Sequence, residues 1–121
     1  MRVIYVHFDA KQESVAVLPA AEVVFAGDEV VWEVSATGKS ITRVELKVKR
    51  GTKLFSFGGS RKLRHSEKIQ SGRARIHGVA PKVKKPGHAR YEYTVRGIRG
   101  KGKPSIELDP VIIIVPPEAI S

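Results

Sequence analysis

The stretch Val23 to Val34, VVFAGDEVVWEV, constrains the fold more than any other. It reads as two strands meeting at Gly27-Asp28. After the turn, Val30, Trp32 and Val34 fall on one face while Val31, Glu33 and Ser35 fall on the other. A half-buried strand produces that period of two. The pattern recurs downstream. Over Arg43 to Lys49 it sends Val44, Leu46 and Val48 inward and Arg43, Glu45, Lys47 and Lys49 outward. Over Arg90 to Arg96 it places Tyr91, Tyr93 and Val95 on one face. Trp32 is the only tryptophan, and its side chain is expected to supply a large share of the core.

Further strands are expected over Arg2 to Phe8, Val15 to Leu18, Ala21 to Phe25, Thr52 to Phe57, Arg73 to Val79 and, briefly, Ser105 to Leu108. Val111 to Val115, VIIIV, reads as a strand buried on both faces. Ser35 to Ser40 reads as a loop. Ser60 to Gly72 reads as a helical turn or a long basic loop. Ala80 to Gly87 and Gly97 to Pro104 read as basic loops, the second mobile. No helical period is sustained. Turn signals separate roughly eight strands, which points to an all-β chain folded as a Greek-key β-sandwich. With 121 residues, one domain is expected over 1–116, with a short C-terminal tail at 117–121.

Composition removes several functions. There is no cysteine, which excludes disulfides, thiolate metal sites and a cysteine nucleophile. There is no asparagine, which excludes N-glycosylation. Arg2 to Phe8 is too short and wrongly flanked for a secretory signal, and the apolar run at Val111 to Val115 is far below a membrane span. The sequence as given therefore reads as cytoplasmic, or as periplasmic if a signal has been trimmed.

A family resemblance rests on three of these segments. The strand, Gly-Asp turn and Val-x-Trp of Val23 to Val34, the Pro86-Gly87 followed by Tyr91-x-Tyr93-x-Val95, and the closing VIIIV together resemble the cupredoxins of plastocyanin and azurin type. The resemblance implies a cupredoxin-like sandwich. It does not imply copper. A blue-copper site needs a Cys thiolate, two His and usually an axial Met. The family cysteine falls near Val95 here, residues 96–121 hold no His, Cys or Met, and Ser35 to Val48 hold no His. Every ligand position is empty, so electron transfer is not carried over and no cofactor is expected.

Other chemistry is thin. His7, His65, His77 and His88 form no metal-ligand spacing, although a non-blue metal site built from histidines through the fold stands as one rival reading. Gly97, Gly102 and Lys103 match GxxxxGK, but Pro104 stands where a hydroxyl is needed to hold magnesium and no amphipathic helix comes after it. Ser66 beside His65, and Gly58-Gly59-Ser60, lack the nucleophile elbow. No enzyme is expected.

Charge is the feature above background. Of the 22 Lys and Arg, 20 lie in residues 39–103 with only three of the 12 Asp and Glu, leaving that segment at +17 and the rest at −7. Such segregation favours a polyanion partner. The candidate residues fall in four clusters: Lys47, Lys49, Arg50 and Lys53; Arg61, Lys62 and Arg64; Lys82, Lys84 and Lys85; Arg96, Arg99, Lys101 and Lys103. Their loops are expected to share one end or face. Phe55 and Phe57 are weighed as base-stacking platforms and assigned instead to the core, which needs most of the few aromatics. The expected function is a non-catalytic binding module that engages an acidic partner, nucleic acid or protein, by charge. In the rival interaction module, an acidic face (Glu22, Asp28, Glu29, Glu33) meets the basic face of a second copy.

Overall fold

The computed structural model describes residues 1–50, 53–84, 87–100 and 102–116, the side chain of Arg50 excepted. The tail expected at 117–121 lies outside the described residues, as do Lys85 and Lys101. The described chain is all β: β1 (Arg2–Asp9), β2 (Ser14–Leu18), β3 (Ala21–Phe25), β4 (Glu29–Thr37), β5 (Ile41–Arg50), β6 (Ser56–Phe57), β7 (Ser60–Arg61), β8 (Arg64–Lys68), β9 (Arg73–Val79), β10 (Ala89–Arg99), β11 (Ile106–Leu108) and β12 (Val111–Val115). The expected sandwich is present, with twelve strands among the described residues rather than eight.

Two mixed sheets pack face to face. The first runs β2-β1-β4-β9-β6-β7, and the second runs β3-β12-β10-β5-β8 with β11 also on β10. β1 pairs with β4 in parallel, as does β12 with β3. Between the sheets lie the inward residues read from the sequence in β4, β5 and β10, joined by those of β1, β3, β9 and β12. Ile4, Val6, Phe8, Val30, Trp32, Val34 and Ile76 come from one side, and Val24, Val44, Leu46, Tyr91, Tyr93, Val95, Ile112 and Ile114 from the other. Trp32 joins the layers. Its ring meets Tyr93 edge-on at 5.9 Å and Phe55 at 5.7 Å, and its Nε1–H donates to the Tyr93 hydroxyl at 3.1 Å. A buried indole N–H without an acceptor is costly, so this bond fixes the ring as well as satisfying it.

Four expectations are corrected. Within residues 60–72, Ser60–Arg61 and Arg64–Lys68 form β7 and β8, in place of the expected helical turn or long basic loop. The alternation there was hidden because the inward positions of β8 are His65 and Glu67 rather than aliphatic residues. His65 stacks on Phe57 at 4.8 Å and contacts Glu67 at 3.0 Å, so the edge of the core is closed by polar side chains. Gly97 to Arg99 belong to β10, not to a loop. Gly97 faces inward against Phe8, and a Cβ there would stand 2.7 Å from the ring. β4 runs to Thr37, into the expected loop. Of the candidate strand 52–57, only Ser56–Phe57 pairs, and Thr52 lies outside the described residues. In β12, Ile112 and Ile114 are fully buried, while Val111, Ile113 and Val115 are partly covered.

The two ends of the sandwich collect different stretches of chain. Gly27 N–H donates to the Ala80 carbonyl, and Ala26 N–H donates to the Val115 carbonyl. The ends of β9 and β12 therefore lie together. Ala89 at the start of β10 faces Ile114, and Glu92 faces Arg50 at the end of β5. One end thus gathers the turn at Gly27, the exit of β5, the β6–β7 hairpin, the entry to β8 and the segment after Ala80. The other end gathers Gly38 to Ser40, Ser71 to Gly72 and Gly100 onward, tied by Gly100 N–H to the Ser40 carbonyl and Ala36 N–H to the Gly72 carbonyl.

Candidate polyanion-binding surface

Nine of the fourteen candidate basic residues fall into two groups that the sequence does not distinguish. The first group is neutralised inside the molecule. Arg64 on β8 and Arg96 on β10 flank Glu45 of the intervening β5, with nitrogen–oxygen distances of 3.6 and 3.4 Å. Arg96 also bonds Glu107 of β11. Glu45 faces outward, as the alternation requires, yet it is only 7% exposed because the two guanidinium groups cover it. Lys49 Nζ donates to Asp109 at 2.9 Å, and the Thr94 hydroxyl donates to the other carboxylate oxygen at 2.8 Å. These two bonds, the lysine first, hold the Asp109 carboxyl below its ordinary range. Arg99 is largely covered. Its guanidinium reaches Glu13 at 3.2 Å and the Pro104 carbonyl at 2.9 Å. Charges committed this way contribute little to attracting a partner.

The second group is solvent-facing. Lys53, Arg61, Lys62, Lys82 and Lys84 are exposed, and none makes an ion pair among the described residues. All five lie at one end of the sandwich. The ladder that gathers them is short: Ser56 on β6 pairs with Arg61 on β7 and with Val79 at the end of β9. Lys62 N–H donates to the Phe55 carbonyl at 3.3 Å. A two-residue turn, Gly58-Gly59, makes this hairpin. Both glycines have positive φ, 61° and 84°, which the tight reversal needs and a side chain resists. Lys53, Arg61 and Lys82 line one small cavity.

The remaining candidates are scattered. Lys47 is exposed on the outer face of the second sheet beside Arg64. Lys103 lies exposed beyond β10 at the opposite end, where Lys39 also lies. The backbone of Arg50 ends β5, while Lys85 and Lys101 are outside the described residues. The four clusters therefore do not share one face. Parts of the first three gather at one end, and the fourth is elsewhere. Phe55 and Phe57 are buried, as the core reading has them, so neither offers a stacking surface.

The other candidate chemistry resolves into local contacts. His77 Nδ1 meets Glu29 at 3.2 Å, and Arg75 pairs with Glu33 at 2.6 Å. Asp28 accepts from Phe25 N–H. Glu22 accepts from Val23 N–H at 2.9 Å, so all four residues of the expected acidic face are engaged within the chain. No group of three or more His, Asp or Glu that could hold a metal occurs among the described residues. Gly102 and Lys103 have no helix after them among the described residues, so the GxxxxGK match has no helix N-terminus to work with. One contact was not legible in the sequence: His7 Nδ1 lies 2.7 Å from the Ser35 hydroxyl across the parallel β1–β4 pair. β4 pairs with β1 on one side and β9 on the other. The backbone amides around Ser35 therefore serve the sheet rather than an oxyanion. No helix of the described residues is long and apolar enough to cross a membrane.

No protein-family model matches this sequence, and no curated protein matches it either.

Proposed function

We propose that this chain is a non-catalytic binding module, a cupredoxin-like sandwich without a copper site, whose basic end engages nucleic acid through its phosphates. The observation that carries the reading is the group of five exposed cations at one end, none of them paired among the described residues: Lys53, Arg61, Lys62, Lys82 and Lys84. A duplex carries one negative charge about every 1.7 Å of its axis, a density that rewards cations gathered in a small area. With Phe55 and Phe57 in the core, the mode of binding is backbone contact rather than stacking or base reading. The scaffold reading is supported by the segments that carry the resemblance. They form β3, the Gly27-Asp28 turn and β4; the tyrosine-bearing β10; and β12. At the position of the family cysteine, Val95 is a fully buried core residue.

The test is affinity for a labelled single strand over a series of salt concentrations. Neutralising five phosphates gives a slope of log affinity on log salt of about −3.5, from about −0.7 per phosphate. Lys53→Glu, Lys62→Glu and Lys84→Glu together should bring it to about −1.4 or lower in magnitude. Lys39→Glu with Lys103→Glu, at the opposite end, should leave the slope near its parent value. Equal losses from both sets mean that net charge alone acts. Absence of binding at low salt, with binding to an acidic protein ligand instead, overturns the nucleic-acid reading.

A further inference from the structure

The cavity at the basic end is about 180 Å³ and is lined by Lys53, Leu54, Arg61, Pro81 and Lys82. Its walls combine two kinds of surface. Pro81 is buried and Leu54 partly buried, which gives an apolar floor, while the three cations are exposed at the rim. None of the three has a carboxylate partner among the described residues. The strand ladder brings them together from three separate stretches of chain, so the grouping is made by the fold and not by a basic run.

Size limits what enters. Pockets that take drug-sized ligands occupy about 300–1,000 Å³, so this one accepts a single small group rather than a whole nucleotide. Charge selects that group. Three positive charges held around so small a space repel one another, and an anion between them relieves the repulsion. A phosphomonoester carries about −1.5 to −2 at pH 7, whereas a diester inside a strand carries a single charge. Arg61 brings the planar fork that bonds phosphate oxygens in pairs, and the lysines act as point charges. Geometry separates the two esters further. An internal diester is linked on both sides and must lie across the mouth, but a terminal phosphate has one link and enters end-on.

We propose that this cavity binds the terminal phosphate of a nucleic-acid strand, with Lys53, Arg61 and Lys82 as its ligands. The proposal rests on the nucleic-acid reading above and adds to it a preference for strand ends. Lys62 and Lys84 stand exposed beside the cavity residues, where the next phosphates of the same strand meet them. A strand, with a phosphate on every residue, uses these flanking cations as well as the cavity. An isolated phosphoserine does not.

The experiment compares one short single strand in three forms: 5′-phosphorylated, 3′-phosphorylated and unphosphorylated. Each is titrated into the intact chain at fixed salt. One terminal form should bind roughly tenfold more tightly than the unphosphorylated strand, the scale of charge-assisted hydrogen bonds gained at one site. Inorganic phosphate should compete that preference away. Arg61→Gln with Lys82→Gln should erase it, while the unphosphorylated strand still binds, weakened by the two lost charges. Equal, salt-dependent binding of all three strands overturns the terminal-phosphate site and leaves the basic-end reading standing. Failure of every strand to bind overturns both. A phosphoserine peptide that binds more tightly than either phosphorylated strand overturns the assignment to strand ends.

Discussion

Raising the pH beyond about 10 should destabilise this protein through Tyr91 and Tyr93. Both rings are essentially inaccessible, at 1% and 0% exposure. Burial pushes both phenols well above their ordinary value; in Tyr93 it outweighs the opposing effect of the bond from the Trp32 N–H. In the unfolded chain both ionise through about pH 10. Above that pH the folded state therefore holds two protons that the unfolded state releases. The stability owed to these groups is complete below about pH 10 and declines as pH rises toward their folded values. Each phenol contributes about 1.4 kcal/mol of loss per pH unit, so the pair contributes about 2.7 kcal/mol per unit. Two units above the threshold remove about 5 kcal/mol, comparable with the whole stability of a marginal domain. Denaturant midpoints followed by Trp32 fluorescence at about pH 9 and about pH 11 measure the loss. Tyr91→Phe should halve the dependence, since it leaves the Trp32–Tyr93 bond in place. The phenolate absorbance of Tyr91 and Tyr93 should rise only as the tryptophan signal reports unfolding. Titration of both phenols near pH 10 in a protein that stays folded refutes this linkage, as does a Tyr91→Phe variant with the parent's pH dependence.

Other substitutions test the remaining links. Gly97→Ala drives a Cβ to 2.7 Å from the buried Phe8 ring and should cost about 1–3 kcal/mol; adding Phe8→Leu should recover part of it in the same denaturant titration. Tyr93→Phe leaves the Trp32 N–H buried without its acceptor and should cost about 1–3 kcal/mol, with a shift in tryptophan emission. Glu45→Gln removes the carboxylate between Arg64 and Arg96 and should cost about 1.5–3 kcal/mol. By releasing Arg64 it should also tighten nucleic-acid binding, which an anisotropy titration reads directly.

The sequence carried the core in its alternation. β9 was legible to the residue at Arg73–Val79, β12 at Val111–Val115, and the inward faces of β4 and β10 came from the spacing of Trp32 and the two tyrosines. Strand order was not legible. The parallel pairings of β1 with β4 and β3 with β12 join segments far apart in the chain, and no local pattern encodes them. β8 was hidden because an edge strand closed by His65 and Glu67 lacks an apolar stripe. The end of β10 was hidden because Gly97 looks like a turn residue, when its role is to leave room for Phe8. The same limit applies to the surface. The excess of Lys and Arg was plain, but which cations are spent on Glu45, Glu107, Asp109 and Glu13 depends on cross-strand register. Only the fold separates Arg96 and Arg99, tied up in pairs, from Lys53, Arg61 and Lys82, which are exposed and unpaired among the described residues.

An acidic partner should meet the end of the sandwich that carries the β6–β7 hairpin and the segment after Ala80. Amide chemical shifts, mapped residue by residue as a short single strand is added at low salt, locate the contact. The shifts should concentrate in residues 53–64 and 80–84, saturate together, and vanish when salt is raised. The outer face of the second sheet around Arg96 and the opposite end around Lys103 should stay near their free values. Shifts centred on Arg96, Arg99 and Lys103, or spread evenly over every basic residue, would place the partner elsewhere and contradict binding at the basic end.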